Sequence, residues 1–195
     1  MRPPDRIAAA AAFTVGLGSV AALAVGFLLL SKLGGTSGRD LGGAAAAGAF
    51  ADAVPLLVAA EMLKLITAGA QLVAVRSTAA HAEAARRTLV TAGYSGALLI
   101  AASGIFGLSA VATQSRDMAS LISTPGFYGI AATGLWAILL VLQGGFEFRR
   151  WLAVAGVLFG AACLVALAVP PVAMLSGILG WAWWFGLAAH LRRRP

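Results

Sequence analysis

Glu61 and Lys64 stand three residues apart near the middle of an apolar run, 53–75, long enough to cross a bilayer as a helix. A charge at the centre of such a helix costs about 2.5–3.5 kcal/mol on insertion scales. A chain that keeps two of them pairs them, lines a cavity with them or uses them. Leu57, Glu61, Lys64, Ala68, Gln71 and Val75 follow a 4-3-4-3-4 spacing and therefore share one helix face, predicted to point into a bundle. Glu61 falls about 12 Å below the outer end of this helix and Lys64 about 17 Å, within an apolar core of about 30 Å. Three explanations compete for the pair. It is a structural ion pair within the bundle; or a substrate or proton site, with Glu61 as the candidate catalytic acid or base; or the helix sits so that both charges reach the outer interface. Tyr94, Gln71, Thr67 and Ser95 are the side chains that could extend a polar network from it.

The aromatic residues offer a wall for such a site. Trp136 lies mid-helix, and Trp181, Trp183 and Trp184 cluster in the last apolar run, with Trp181 and Trp184 on one face. Their ordinary role is core packing; the sharper one is a pocket for an apolar or cationic ligand. The candidate binding set is therefore Lys64, Gln71, Tyr94, Trp136, Trp181 and Trp184.

Other chemistry finds little support. The Gly16–Ala21 stretch fits a loose dinucleotide-binding glycine pattern but lies inside an apolar helix with no preceding strand. Residues 93–96, Gly-Tyr-Ser-Gly, lack the spacing and the sheet of a nucleophile elbow. His81 and His190 have no partners at metal-ligand spacing, so no metal and no cofactor is expected. Cys163 is the single cysteine, which excludes an internal disulfide.

The elements that must position these residues follow from composition. The 195-residue chain is 61% hydrophobic and 11% charged, more apolar than a soluble domain of this size can hide. Its net charge of +7 lies in short clusters between apolar segments, a pattern of membrane topology rather than of nucleic-acid binding. The runs predict six helices, at about 7–30, 53–75, 88–112, 125–143, 151–169 and 172–190, forming a single membrane domain. The first run is longer than the apolar core of a signal peptide and reads as a retained helix. Residues 44–52 are alanine-rich and extend the second helix outward. Thr124 and Pro125 read as an N-cap followed by proline at the first helical position, so Gln114, Arg116 and Asp117 fall in a loop. Pro170 and Pro171 break the fifth helix from the sixth.

Six spans put both termini on one side. That side carries Arg2, Arg6, Arg76, Arg86, Arg87, Arg149, Arg150, Arg192, Arg193 and Arg194; the other carries Lys32, Arg39 and Arg116. The positive-inside rule then places both termini in the cytoplasm. The expected class is an all-α, polytopic transmembrane helix bundle, in the inner membrane of a bacterium whose GC-rich genome would explain the abundant Ala, Gly and Arg. Gly156 and Gly160 form a small-xxx-small pair that serves either internal packing or a homo-oligomer face. Trp151, next to Arg149 and Arg150, reads as an interfacial anchor, and the basic tail 192–194 as a topology signal touching membrane lipid.

Glu61, Arg87, the run Arg150-Trp151-Leu152-Ala153 leading to Gly156, and Trp183-Trp184 with Gly186 resemble the layout of a group of uncharacterised bacterial six-helix integral membrane proteins, a domain-of-unknown-function family. The resemblance implies the six-helix fold and no activity. Three functions stay open. One is a protein that binds or carries a small or lipid-soluble molecule through the Glu61–Lys64 face. Another is a membrane-embedded enzyme acting on an isoprenoid or lipid-like substrate. The last is an accessory subunit of a membrane complex.

Overall fold

The computed structural model describes residues 3–32, 44–113, 116–169 and 171–193. Arg2, Arg39, Asp40, Gln114, Pro170 and Arg194 lie outside the described residues. Six helices run in order: α1 Pro3–Lys32, α2 Ala44–Ala79, α3 Arg86–Thr113, α4 Arg116–Gln143, α5 Arg150–Val165 and α6 Val172–Arg192. There is no strand among the described residues. Five helices are long and apolar enough to cross a membrane; α5, with 16 residues, is shorter.

Helix α1 begins four residues before the expected 7 and α2 ends four residues after the expected 75, taking in Arg76, and the start of α4 and the end of α5 differ as well. Helix α4 begins at Arg116, and Pro125 lies inside it rather than at its first turn. A proline inside a helix removes one hydrogen bond, a loss that membrane helices tolerate when packed against neighbours; Pro55 sits within α2 in the same way. Helix α5 stops at Val165 rather than 169, and residues 166–168 continue as tight turns, with Leu167 N–H donating to the Leu164 carbonyl at 3.2 Å. The following prolines disfavour helical backbone before them, which shortens the helix.

Each helix packs on its neighbours in the chain, and α6 returns to α1, so the six close into a ring. Glycines set how near the backbones come. At the α3–α4 crossing, a Cβ on Gly96 would lie 2.9 Å from the Thr133 amide nitrogen, and one on Gly129 would lie 3.1 Å from the Gly96 carbonyl oxygen. At α4–α5, a Cβ on Gly134 would lie 2.9 Å from the Gly160 carbonyl oxygen. Membrane helices gain little from hydrophobic burial against each other, and close backbone approach supplies the dispersion contact instead.

The basic segments meet at one end of the ring. The α4–α5 connection folds inward there, its turn made by Gly145 in the left-handed region at φ +66°. Phe146 packs on His81 of the α2–α3 connection at 5.6 Å and stacks on Phe148 at 5.3 Å. Phe148 in turn meets His190 of α6 at 5.0 Å and Trp183 at 5.8 Å. Around this aromatic plug, Arg6, Arg76, Arg86, Arg87, Arg149, Arg150, Arg192 and Arg193 are exposed.

The two halves of the ring are packed differently. The large fully buried apolar side chains (Trp136, Trp183, Leu89, Leu140, Leu152, Leu187 and Leu191) belong to the basic half. Among the described residues, the opposite half buries small or polar groups: alanines, Ser103, Ser176, Cys163, Gly104, Gly107 and Glu61. Gly26 and Gly177, toward that end, have open space where a side chain would stand.

Candidate functional site

Helix α2 turns its polar stripe inward. Glu61, Ala68, Gln71 and Val75 are buried, while Val58, Met62, Ile66 and Val73 on the other face are exposed. The outward apolar residues suit lipid, which leaves the stripe to the interior. Glu61 and Lys64 form an ion pair within one helical turn. Lys64 Nζ donates to Glu61 Oε2 at 2.6 Å and to Oε1 at 2.8 Å. A longer bond, 3.4 Å, runs from Nζ to Ser103 Oγ on α3. The Glu61 side chain is 11% exposed and that of Lys64 is 31% exposed.

Helix α3 makes the room for this pair. The Glu61 carboxylate occupies the space where Gly107 would carry a side chain, and a Cβ on Gly104 would lie 3.1 Å from the Glu61 carbonyl oxygen. A Cβ on Gly126 of α4 would lie 3.1 Å from Ser103 Oγ, so α2, α3 and α4 meet around the group. The site is a carboxylate, an ammonium and a hydroxyl, bordered by glycine, in the small-residue half.

Gln71 belongs to a second layer. Its Nε2 donates to Thr133 Oγ1 at 2.8 Å and to the Gly93 carbonyl at 3.4 Å, and Thr133 Oγ1 donates to the Gly129 carbonyl at 2.8 Å. Trp136 lies beside Gly93 and stacks on Trp184 at 5.3 Å with an interplanar angle of 16°, joining α4 to α6 across the ring. The buried indole N–H groups of Trp136, Trp181 and Trp183 have no acceptor among the described residues.

The candidates therefore do not form one pocket. Glu61 sits beside Gly104 and Gly107, whereas Trp136 sits beside Gly93, about 15–20 Å away along α3. Tyr94 is half-buried against the apolar core. Trp181 makes no ring contact among the described residues, and it is Trp184 that joins the stack. Thr67 bonds back to its own helix, to the Leu63 and Lys64 carbonyls, and Ser95 is exposed; neither extends the polar network. Ser103 and Thr133 take that role instead. The available signal was their place on faces of small residues, Ser103 with Gly96, Gly104 and Gly107, and Thr133 with Gly129 and Gly134.

Gly156 and Gly160 are spent inside the chain. A Cβ on Gly156 would lie 2.5 Å from the Trp183 ring, and one on Gly160 would lie 2.5 Å from the Gly134 carbonyl oxygen. Both glycines are buried against the chain's own helices. No group of three or more metal-ligating side chains occurs among the described residues. Compared with protein-family models, curated proteins and solved structures, the chain matches none.

Proposed function

We propose that this chain is a multi-pass protein of a bacterial inner membrane that binds or carries a small or lipid-soluble molecule at Glu61, Lys64 and Ser103. The observation that carries the proposal is that the ion pair is made within α2. A pair kept for stability would tie two helices together. This one bridges positions a single turn apart, and its hydrogen bond to α3 among the described residues is a long one, 3.4 Å, to Ser103. Burial of both charges is unfavourable, and their mutual attraction offsets only part of that cost. Lys64 also keeps nearly a third of its side chain open, in the half of the ring that lacks large core residues. A molecule with a polar group that both accepts and donates would exchange hydrogen bonds with the pair without an unpaired charge being left behind.

Topology supports the setting. Helix α5 is short, but it lies in the ring between α4 and α6, each long and apolar enough to span. If those two cross, α5 crosses beside them, giving six spans. The basic end then faces the cytoplasm with both termini.

An enzyme with Glu61 as general acid or base draws less support, because the tryptophan wall it needs lies in the other layer and Trp136 is fully buried.

The test is a double-mutant cycle on detergent-purified protein. The Glu61→Gln/Lys64→Met double variant, which leaves neither charge unpaired, should unfold at or above the wild-type midpoint, while each single variant loses stability through the charge left behind. A double variant markedly less stable than wild type would identify a structural pair and remove the main support for a site.

A further inference from the structure

Two grooves flank the last turns of α6 at the basic end. One, of about 460 Å³, lies between α1 and α6 and is lined by Ala9, Phe13, Phe185, Ala188, Ala189, Arg192 and Arg193. The other, of about 430 Å³, lies between α6 and the start of α5; Arg149, Trp151, Gly186, Ala189 and Arg193 are among its lining residues. Ala189 and Arg193 belong to both, so a small ridge separates them and a single guanidinium serves both mouths. We propose that this pair of grooves is a binding site for one anionic phospholipid, with its phosphate held by Arg193 between Arg149 and Arg192 and an acyl chain lying over Phe13 and Phe185.

Charge and depth both fit. Arg149, Arg192 and Arg193 are exposed at the bundle's basic rim; Glu147 is the carboxylate lining the second groove, and the arginines outnumber it. From Arg193 to Phe185 is eight residues, about 12 Å along the helix, which takes the ligand from headgroup level into the acyl region. The Phe13 and Phe185 rings stand 5.4 Å apart and wall the deeper part with apolar surface. Gly186 lets the Trp151 and Leu152 side chains of α5 lie directly against α6 at the second groove, where a Cβ would stand within 2.7 Å of both. Trp151 itself is 54% exposed, as an aromatic at headgroup level should be.

The start of α5 adds an electrostatic reason. Its N-cap residue, Arg149, makes no side-chain capping bond; Leu152 N–H donates to the Arg149 carbonyl at 2.9 Å, and the positive end of the dipole of this 16-residue helix lies at the second groove. A phosphate in that groove would complement it. Guanidinium groups bind phosphate oxygens in bidentate fashion, and basic pockets between membrane helices on the cytoplasmic side suit anionic headgroups. This site is independent of Glu61 and stands or falls separately from the proposed function.

Thermal unfolding in lipid nanodiscs tests it. Wild type in phosphatidylcholine mixed with phosphatidylglycerol should unfold several degrees higher than in phosphatidylcholine alone. The variant Arg192→Gln/Arg193→Gln should lose most of that shift. Arg86→Gln/Arg87→Gln, which removes equal charge from the same end but outside the grooves, should keep it. Ala189→Trp retains every arginine and fills the ridge between the grooves, and it should lose the shift as well. The proposal is overturned if wild type shows no preference, if both arginine pairs matter equally (diffuse surface charge), or if inorganic phosphate added to phosphatidylcholine discs reproduces the whole shift (an anion site without a lipid).

Discussion

At the scale of single residues, the bundle keeps its polar groups in two separate layers with different consequences. Gln71 is 2% exposed and joins α2 to α3 and α4 through Gly93 and Thr133. Interhelical hydrogen bonds in membranes average about 0.6 kcal/mol and reach about 1.7 kcal/mol. Gln71→Leu should therefore destabilise the protein by about 0.5–1.5 kcal/mol, read as a lowered unfolding midpoint, because Thr133 keeps its bond to Gly129 and only the Gln71 contacts are lost. A loss well beyond that range would mean that Gln71 supports more than these bonds. The Glu61–Lys64 contact was legible in the sequence, since residues three apart on a helix are neighbours. Its setting was not. That Ser103 and Gly107 complete the site depends on the register of α3 against α2, and a single sequence carries no measure of register. The same limit separates Glu61 from the tryptophans: both lie on inward faces, but nothing in their spacing tells which level of the ring each occupies.

At the scale of helices, the glycines decide the geometry. Gly134 of α4 faces the Gly160 carbonyl of α5, whereas Gly177 of α6 faces open space. Gly134→Val should push α4 and α5 apart and destabilise by about 1–3 kcal/mol, while Gly177→Val should stay near wild type. Equal effects of the two variants in detergent unfolding would show that the α4–α5 crossing is not held by backbone contact. Helix number was legible because six apolar runs are separated by charged or proline-containing breaks. The start of α4 was not, because Thr124-Pro125 has the chemistry of a helix beginning and yet lies within a longer one. Local sequence favours a cap there, yet the helix runs through the proline. The shortening of α5 follows the opposite logic, with local proline chemistry prevailing over an apolar run that was long enough to continue.

At the scale of the whole molecule, the exposed arginines at one end and the aromatic plug behind them give the ring a polarity. If the basic end is cytoplasmic, single cysteines placed at Arg86 and at Thr113 in a Cys163→Ala background should differ in labelling. A membrane-impermeant maleimide added to intact spheroplasts should modify position 113 and leave position 86 untouched until the cells are opened. The reverse pattern would invert the topology and place the Glu61 half toward the cytoplasm. The charge asymmetry was readable from the chain, but the closure of the ring was not, since it depends on α1 meeting α6, the two helices farthest apart in sequence.

That closure also has a bearing on synthesis. Residues on α1 that face α6, Gly16 against Phe185 and Phe13 beside the same ring, are synthesised about 170 residues before their partner. At translation rates of about 5–20 residues per second, α1 waits on the order of ten to thirty seconds with that flank uncovered by α6. During the wait, the flank of α1 that α6 will cover is the ring's temporary edge. The interval during which a newly made chain is most open to pairing with the wrong helix is thus set by the order in which its segments emerge, and it ends when α6 arrives.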